Sequence, residues 1–396
     1  MLSPSGSSSS TSPRLEWPLL HASFILIGVI TTLLGPILPS FSRHWSLTDA
    51  QAGFFFASQY FGSFLGVLLT SPLLPRFGFA KVTSAGFLSF MLGFAFLGVG
   101  PWMLAAFLVG VYGLGYGLSN PAINLRATQL PSSNTAAAVT FLNFSWSVGA
   151  VSCPFLVGFF LPTIGIRGLS LGLAGFSFLL CILHFLRPSE RSAAAPVRVT
   201  HSLEEWLNHL RHPSAIALFL LYFFYVGTEV AFGGWSAMQE KRIALPGSAL
   251  SLAPSFFYGF LLLSRGVAPL ALRRISQLVI SVGGLLCATL GGAIILGAGT
   301  TPILYLGAAL AGFGLAPQYP MLVTWLAAIF GEDANWLGAL FFGAAGLGGA
   351  FVPWLVGIVA DQTHSLRAGL AIPLIVSVIM VFLVLRARPA PAVARS

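Results

Sequence analysis

Long apolar stretches separated by short polar segments dominate the pattern of the chain. A helix needs about 20 mostly apolar residues to cross the hydrocarbon core of a bilayer. Twelve stretches approach that length, so we predict twelve transmembrane spans, numbered along the chain: 17–40, 51–73, 82–100, 102–125, 135–160, 165–186, 213–236, 249–267, 276–297, 302–328, 335–360 and 368–385.

An internal repeat divides the spans into two halves. Glycine and proline positions recur at an offset of 199 residues: Gly28 with Gly227, Gly35 with Gly234, Gly113 with Gly312, Gly115 with Gly314, Pro121 with Pro320 and Pro154 with Pro353. Their order predicts an all-α membrane protein with two pseudo-symmetric six-helix bundles and a binding site between them near mid-depth. The alternative is that two halves of any membrane protein rich in glycine and proline look alike.

The polar segments define the predicted domains, which are a disordered tail, a first bundle, a cytoplasmic linker, a second bundle and a C-terminal tail: 1–16, 17–186, 187–212, 213–386 and 387–396. Within the linker, Ser202 and Glu205 have the spacing of a capping box, which predicts a short helix lying on the cytoplasmic leaflet. A plain flexible linker is the alternative.

Composition and charge agree with a protein whose solvent is lipid. Hydrophobic residues make up 56% and charged residues 7% of the 396 positions, whereas soluble domains carry roughly 25% charged residues. The net charge of +9 forms no dense patch, so nucleic acid is not a predicted partner. With the N-terminus in the cytoplasm, fourteen of the nineteen Lys and Arg, including Arg265, fall inside, as the positive-inside rule requires. We expect a monomer in the inner membrane with both termini cytoplasmic.

Several segments resemble the major facilitator superfamily. LLPRFGFAK (73–81) is similar to the superfamily's cytoplasmic signature, with Pro75 at its acidic position. GAVSCPFLVG (149–158) and GGAFVPWLVG (348–357) resemble its gating helices five and eleven. The resemblance implies the twelve-helix fold of that superfamily.

Three further segments resemble the fucose and glucose permease branch of sugar:proton symporters: YVGTEVAFGGW (225–235), GLAPQYP (314–320) and NPAINL (120–125). This resemblance implies uptake of a small neutral solute such as a sugar, together with a proton. Proton-coupled members of the branch carry a carboxylate where this chain has Asn120, and span one of this chain contains no carboxylate.

Glu229 is the carboxylate that lies well inside a predicted span. A charge at bilayer depth costs about 2.5–3.5 kcal/mol on insertion scales, so such residues usually face a cavity and serve a function. We predict that Glu229 carries the coupled proton. The alternatives are a neutral Glu that hydrogen bonds to a neighbouring helix, or one that contacts substrate hydroxyls without proton transfer.

Amide and aromatic side chains within the spans predict a substrate site: Gln59, Asn120, Asn124, Asn143, Trp235, Gln318 and Tyr319. Amides both donate and accept hydrogen bonds, which suits a polyhydroxylated ligand, and Trp146 could add a ring near Asn143. The alternatives are hydrogen bonds between helices and, for Trp235, a position in the interfacial aromatic belt. Gating or structural roles are predicted for Arg76, Arg274, Pro154 and Pro353.

These residues predict a secondary transporter that works by alternating access, without a cofactor or metal. The sequence contains neither G-x-x-x-x-G-K-[ST] nor H-E-x-x-H, the signatures of P-loop and zinc sites. The G-x-S-x-G match at 168–172 lies in a predicted helix, so an enzyme is not predicted. An exporter of apolar compounds, an uncoupled facilitator and a sensor without flux are the alternatives.

Overall fold

The computed structural model describes residues 13–131, 135–187, 213–243 and 251–387. Helices account for almost all of these residues, and the described ranges contain no β-strand. We number the helices in chain order: α1 (Pro13–Thr32), α2 (Leu34–Trp45), α3 (Asp49–Ala95), α4 (Trp102–Gln129), α5 (Thr135–Phe185), α6 (Pro213–Ile243), α7 (Ala253–Ala271), α8 (Gln277–Gly297), α9 (Thr301–Leu315), α10 (Gln318–Phe330), α11 (Ala334–Thr363) and α12 (Leu366–Ala387).

These helices account for the twelve predicted spans, although not one helix to each span. α3 and α5 each contain two spans, joined at Gly78 and Gly165, where positive φ angles of 79° and 66° interrupt the helix. Only glycine adopts such angles readily. Span one is the pair α1 and α2, bent by 44°, and span ten is α9 followed by α10 after Pro317. The predicted all-α membrane fold is confirmed.

Two faces of the bundle can be distinguished by the helix ends. On one face, which we call the terminal face, Glu16 near the start of α1 lies 2.8 Å from Arg126 Nε near the end of α4 and 2.7 Å from Arg187 Nη2 after α5. On the other, the opposite face, Asp49 at the start of α3 lies 2.5 Å from Nη2 of Arg242 near the end of α6. The Ser214 hydroxyl at the start of α6 donates to the Arg386 carbonyl near the end of α12, so α12 also ends at the terminal face.

The repeat is visible in contacts between helix backbones. A Cβ atom on Gly113 of α4 would lie 2.1 Å from the carbonyl oxygen of Gln59 in α3. A Cβ atom on Gly312 of α9 would lie 2.0 Å from the carbonyl oxygen of Phe257 in α7. The glycines are related by the offset of 199, and their partners by 198. The two halves thus repeat one packing arrangement, in which glycine lets two backbones approach closely.

The two halves meet along a seam that is closed at the opposite face. Gly35 of α2 packs against the backbone of Gly234 in α6, and Gly53 of α3 packs against the backbone of Trp354 in α11. Residues 230–240 of α6 are all buried. The ion pair of Asp49 with Arg242 joins the halves at the rim of this closed region.

The predicted domain boundaries stay predictions. α1 begins at Pro13, so the helix includes the last residues of the predicted tail 1–16. Residues 188–212, with the predicted interfacial helix, and residues 388–396 lie outside the described ranges. Span eight, predicted over 249–267, corresponds to α7, which starts and ends four residues later.

Gly113→Ala should destabilise the first half, because its methyl group would overlap the Gln59 carbonyl, 2.1 Å away, and force α3 and α4 apart. Overpacking of this kind costs about 1–3 kcal/mol. Gly172→Ala is the matched control, because a Cβ atom there has no neighbour within 4 Å. Thermal unfolding of the purified variants measures the difference, and equal stability of the two would contradict the repeat packing.

Candidate functional site

A carboxylate and a guanidinium face each other beside the seam. Glu229 in α6 accepts a hydrogen bond from the hydroxyl of Tyr225, one turn earlier. Its Oε2 lies 4.0 Å from Nη2 of Arg265 in α7, and the two side chains are 15% and 29% exposed. The guanidinium carbon of Arg265 lies 5.7 Å from the ring centroid of Trp146 in α5, which belongs to the first half. A cation over an indole face is a favourable contact.

The sequence-based assignment of Arg265 to the cytoplasmic residues was wrong. α7 continues to Ala271, so Arg265 lies inside the helix, and its side chain reaches Glu229 and Trp146 rather than a loop. A charged side chain is tolerated at bilayer depth when it lies beside an opposite charge or within a polar cavity. Glu229 provides that opposite charge for Arg265.

Tyrosines surround this pair. Besides α6, four helices each place one tyrosine hydroxyl within electrostatic range of Glu229. They are Tyr60 of α3, Tyr116 of α4, Tyr258 of α7 and Tyr319 of α10. The Tyr319 ring lies 6.0 Å from that of Tyr225, centroid to centroid. Both halves therefore present aromatic rings with polar tips to the same charged pair.

Three of the predicted amides form a hydrogen-bonded chain on the terminal-face side of the pair. Asn124 Nδ2 donates to the carbonyl oxygen and Oδ1 of Asn120, at 3.1 and 3.3 Å, and Asn143 Nδ2 donates to Asn124 Oδ1 at 3.1 Å. Asn120 follows Tyr116 by one turn of α4, and Asn143 precedes Trp146 by three residues of α5. The amide chain therefore links α4 to α5 on the terminal-face side of Tyr116 and Trp146.

Gln59 lies inside the first half and is 1% exposed. Its Nε2 donates to the carbonyl oxygen of Thr31 at 3.0 Å, and its Oε1 accepts from the Tyr112 hydroxyl at 3.2 Å. α1 ends one residue after Thr31, where carbonyl groups lose their helical partners, so Gln59 satisfies the broken helix. The Thr31 hydroxyl accepts from Trp146 Nε1 at 3.1 Å, which links this break to the ring that faces Arg265.

The remaining predicted substrate residues lie apart. Gln318 is buried, with its Oε1 2.5 Å from the Ser281 hydroxyl and its Nε2 donating to the Ser281 carbonyl at 2.9 Å. Tyr319, the next residue, is 36% exposed and belongs to the tyrosines around the pair. Trp235 is fully buried, and its Nε1 donates to the Pro353 carbonyl at 2.9 Å. Their roles in substrate binding stay predictions.

The predicted gating residues occupy two kinds of position. Pro154 in α5 and Pro353 in α11 are buried at equivalent points of the repeat. Arg76 is exposed, with its guanidinium 5.3 Å from the Phe77 ring centroid, and Arg274 is exposed in the turn after α7. Their contribution to gating stays a prediction.

Sequence reasoning missed Arg265 and the tyrosines other than Tyr319. The signal for Arg265 was available, because the rule that singled out Glu229 applies to any ionisable residue inside a span. Tyr225 could have been found by its spacing of four residues from Glu229, which places both on one helix face. The convergence of Tyr60, Tyr116 and Tyr319 from three helices had no sequence signal.

This arrangement can perform three chemical tasks. The guanidinium can bind an anion, the carboxylate can exchange a proton, and the rings can pack against a planar or apolar group. In the described part of the chain, no group of three or more His, Cys, Asp or Glu side chains is placed to hold a metal ion.

Comparison with known proteins identifies the family. The model of the Major Facilitator Superfamily matches residues 20–335. The chain is 25% identical over 206 residues to the 4-hydroxybenzoate transporter PcaK of Acinetobacter baylyi, covering 50% of this chain and 45% of that protein. It is 27% identical over 189 residues to the gallate transporter of Pseudomonas putida, covering 46% and 42%. The alignments thus span less than half the length of these curated relatives.

A solved structure has the same fold. The fucose:proton symporter FucP of E. coli superposes with a TM-score of 0.66 at 18% identity, covering 96% of this chain and 100% of that one. At this identity the likeness shows the fold alone, and it confirms the fold that the resemblance implied. Because the family model covers most of the sequence, the chain belongs to the Major Facilitator Superfamily.

Proposed function

We propose that this transporter carries a small aromatic carboxylate by alternating access, with Arg265 as the anchor for the substrate carboxylate and Glu229 as the proton carrier. In this proposal the terminal face is cytoplasmic, and the described conformation is open toward the cytoplasm and closed toward the outside. The single observation that carries the proposal is the Arg265 guanidinium, which lies between Trp146 of one half and Glu229 of the other.

The geometry around Arg265 favours an anion. Its nearest carboxylate oxygen is 4.0 Å away, beyond hydrogen-bonding distance, so Glu229 does not occupy the planar fork of the guanidinium, which has the Tyr225 hydroxyl as a hydrogen-bond partner. Arginine binds carboxylates with two parallel hydrogen bonds. Trp146, Tyr225 and Tyr319 lie around this fork, where they could pack against a ring attached to that carboxylate. The names of the two relatives, which carry 4-hydroxybenzoate and gallate, agree with this substrate class.

Charge balance supports proton coupling in the same step. With Glu229 ionised, Arg265 and Glu229 together are neutral. A substrate anion added to this pair would leave one uncompensated negative charge at bilayer depth, which is costly. Protonation of Glu229 restores neutrality, so substrate and proton enter the site together. The same reasoning makes apolar cargo a poor fit for this site.

The second candidate is the neutral sugar that the sequence predicted. The chain of Asn120, Asn124 and Asn143 favours it, because linked amides can bind several hydroxyl groups at once. A panel of radiolabelled aromatic acids and sugars, tested for uptake into proteoliposomes, separates the two candidates.

Arg265→Gln should abolish specific uptake of the aromatic acid, because the substrate carboxylate loses its counter-charge. Truncating one partner of a buried charge pair costs about 2–5 kcal/mol, which corresponds to at least about a 30-fold loss in kcat/KM. Arg265→Lys keeps the positive charge but loses the planar fork, so its kcat/KM should lie between those of wild type and Arg265→Gln. Arg273→Gln, at an exposed position in the turn after α7, is the control. Unchanged acid uptake by Arg265→Gln would contradict the anchor.

Glu229→Gln should eliminate accumulation driven by a pH gradient, because the amide cannot exchange a proton, while downhill flux should persist and lose its pH dependence. Uptake into proteoliposomes with and without an imposed gradient measures both quantities. Asp361→Asn, near the end of α11, is the control. If Glu229→Gln accumulates substrate as wild type does, the proton is carried elsewhere, and if wild type itself does not accumulate substrate, the transporter is an uncoupled facilitator.

Asp49→Asn should favour the conformation that is open at the opposite face, because it removes the ion pair with Arg242 at the rim of the seam. Partly exposed pairs contribute about 0.2–1 kcal/mol, so the open population should rise by up to about fivefold. Spin-label distances between positions 44 and 363, one in each half, measure this population. Arg242→Gln should have the same effect, and the double variant should add little. Arg43→Gln is the control, because Arg43, the repeat equivalent of Arg242, hydrogen bonds to Ser40.

A further inference from the structure

A second cavity lies on the outer surface of the bundle, away from the charged pair. Its volume is about 460 Å³, within the range of about 300–1,000 Å³ that is typical of ligand sites. One wall comes from α3, with Phe54, Ala57 and Phe61, and the other from α11, with Leu347, Ala350 and Trp354. It therefore follows the seam between the two halves of the transporter.

The walls of this seam groove are almost entirely apolar. Ser58 provides the one polar side chain among its lining residues, and none of them is charged. An occupant with several buried hydrogen-bonding groups would find few partners there, and unpaired polar groups are costly to bury. The groove thus selects against carboxylates and sugars, so it is chemically distinct from the site around Arg265.

The groove opens toward the hydrocarbon region of the bilayer. Phe54, Phe61 and Phe351 at its edge are 42%, 53% and 46% exposed, and all three lie inside spans of α3 and α11. Small side chains at Ala57 and Ala350 leave the space that these rings enclose. Such a recess at bilayer depth fills with hydrocarbon, because burying apolar surface in it is favourable and water gains no hydrogen bonds there.

We propose that the seam groove binds one acyl chain of a membrane phospholipid whose head group lies at the opposite face. Two tryptophans mark this depth, because the Phe54 ring lies 6.3 Å from Trp102 and 6.4 Å from Trp354, centroid to centroid. Tryptophan is enriched at the boundary between hydrocarbon and head groups. From Phe54, the groove extends along seven residues of α3, or about 10 Å of helix, toward the middle of the bilayer.

Lipid binding at this place acts on the conformational equilibrium. Both halves line the groove, so its shape depends on how α3 meets α11. A ligand that binds one conformation better shifts the population toward it. The bound chain therefore favours the conformation that is closed at the opposite face.

Photo-crosslinking tests this proposal in the full-length protein reconstituted with phospholipids that carry a diazirine on the acyl chain. Peptide mass spectrometry should find adducts enriched at residues 54–61 and 347–354 over the other lipid-facing surfaces. Ala350→Phe, which fills the groove, should reduce these adducts to the yield of the other surfaces. Ala57→Leu fills less of the groove from the α3 wall and should reduce the adducts partly. This second variant keeps the test decisive if Ala350→Phe does not fold.

Ala293→Phe is the matched control, because Ala293 is exposed on α8 outside the groove and receives the same substitution. It should leave the groove adducts unchanged. Thermal unfolding of each variant verifies folding. Adducts spread evenly over all lipid-facing helices, or groove adducts that persist in a folded Ala350→Phe variant, would overturn the proposal. Labelling of residues 54–61 and 347–354 by a diazirine-bearing apolar solute, with no enrichment of lipid adducts at these residues, would assign the groove to that solute instead.

Discussion

The pairing of Glu229 with Arg265 is the interaction on which the site depends, because neither charge is readily tolerated alone at bilayer depth. Both residues belong to the second half, on α6 and α7, so rocking of one half against the other does not separate them. The first half reaches Arg265 through the Trp146 ring. A cation–π contact of about 0.5–2 kcal/mol can break and reform without leaving an unpaired charge, so the halves can part at low cost.

The fold repeats, but its chemistry does not. Glycine contacts of α3 with α4 recur between α7 and α9, with carbonyl oxygens of the neighbouring helix at the same distance. At the repeat offsets, however, Glu229 corresponds to Ile30, Arg265 to Val67, and Trp146 to Ala345. The backbone packing is thus similar in the two halves, while the side chains that face the seam differ. One asymmetric site between two similar bundles is the consequence.

The seam carries different chemistry at different depths. At the opposite face it is closed by glycine contacts, buried rings and the ion pair of Asp49 with Arg242. On the terminal-face side of the charged pair, the linked amides of Asn120, Asn124 and Asn143 present polar groups. Toward lipid, the seam is an apolar groove. Polar groups therefore line the terminal-face side of the seam, and apolar groups line the groove on its outer surface.

The sequence by itself determined the membrane setting, the helical spans and the two-fold repeat, and it singled out Glu229 as a candidate, because apolar length, glycine spacing and a lone carboxylate are local properties. It also located amides in α4 and α5. Asn120 lies one turn from Tyr116, and Asn143 lies three residues from Trp146. Only the tertiary structure decided which polar groups meet. Gln59 and Gln318 satisfy neighbouring helices, whereas Arg265 and four tyrosines from α3, α4, α7 and α10 converge on Glu229. The direction of a side chain around its helix depends on packing against partners far away in sequence, and no local pattern encodes those partners.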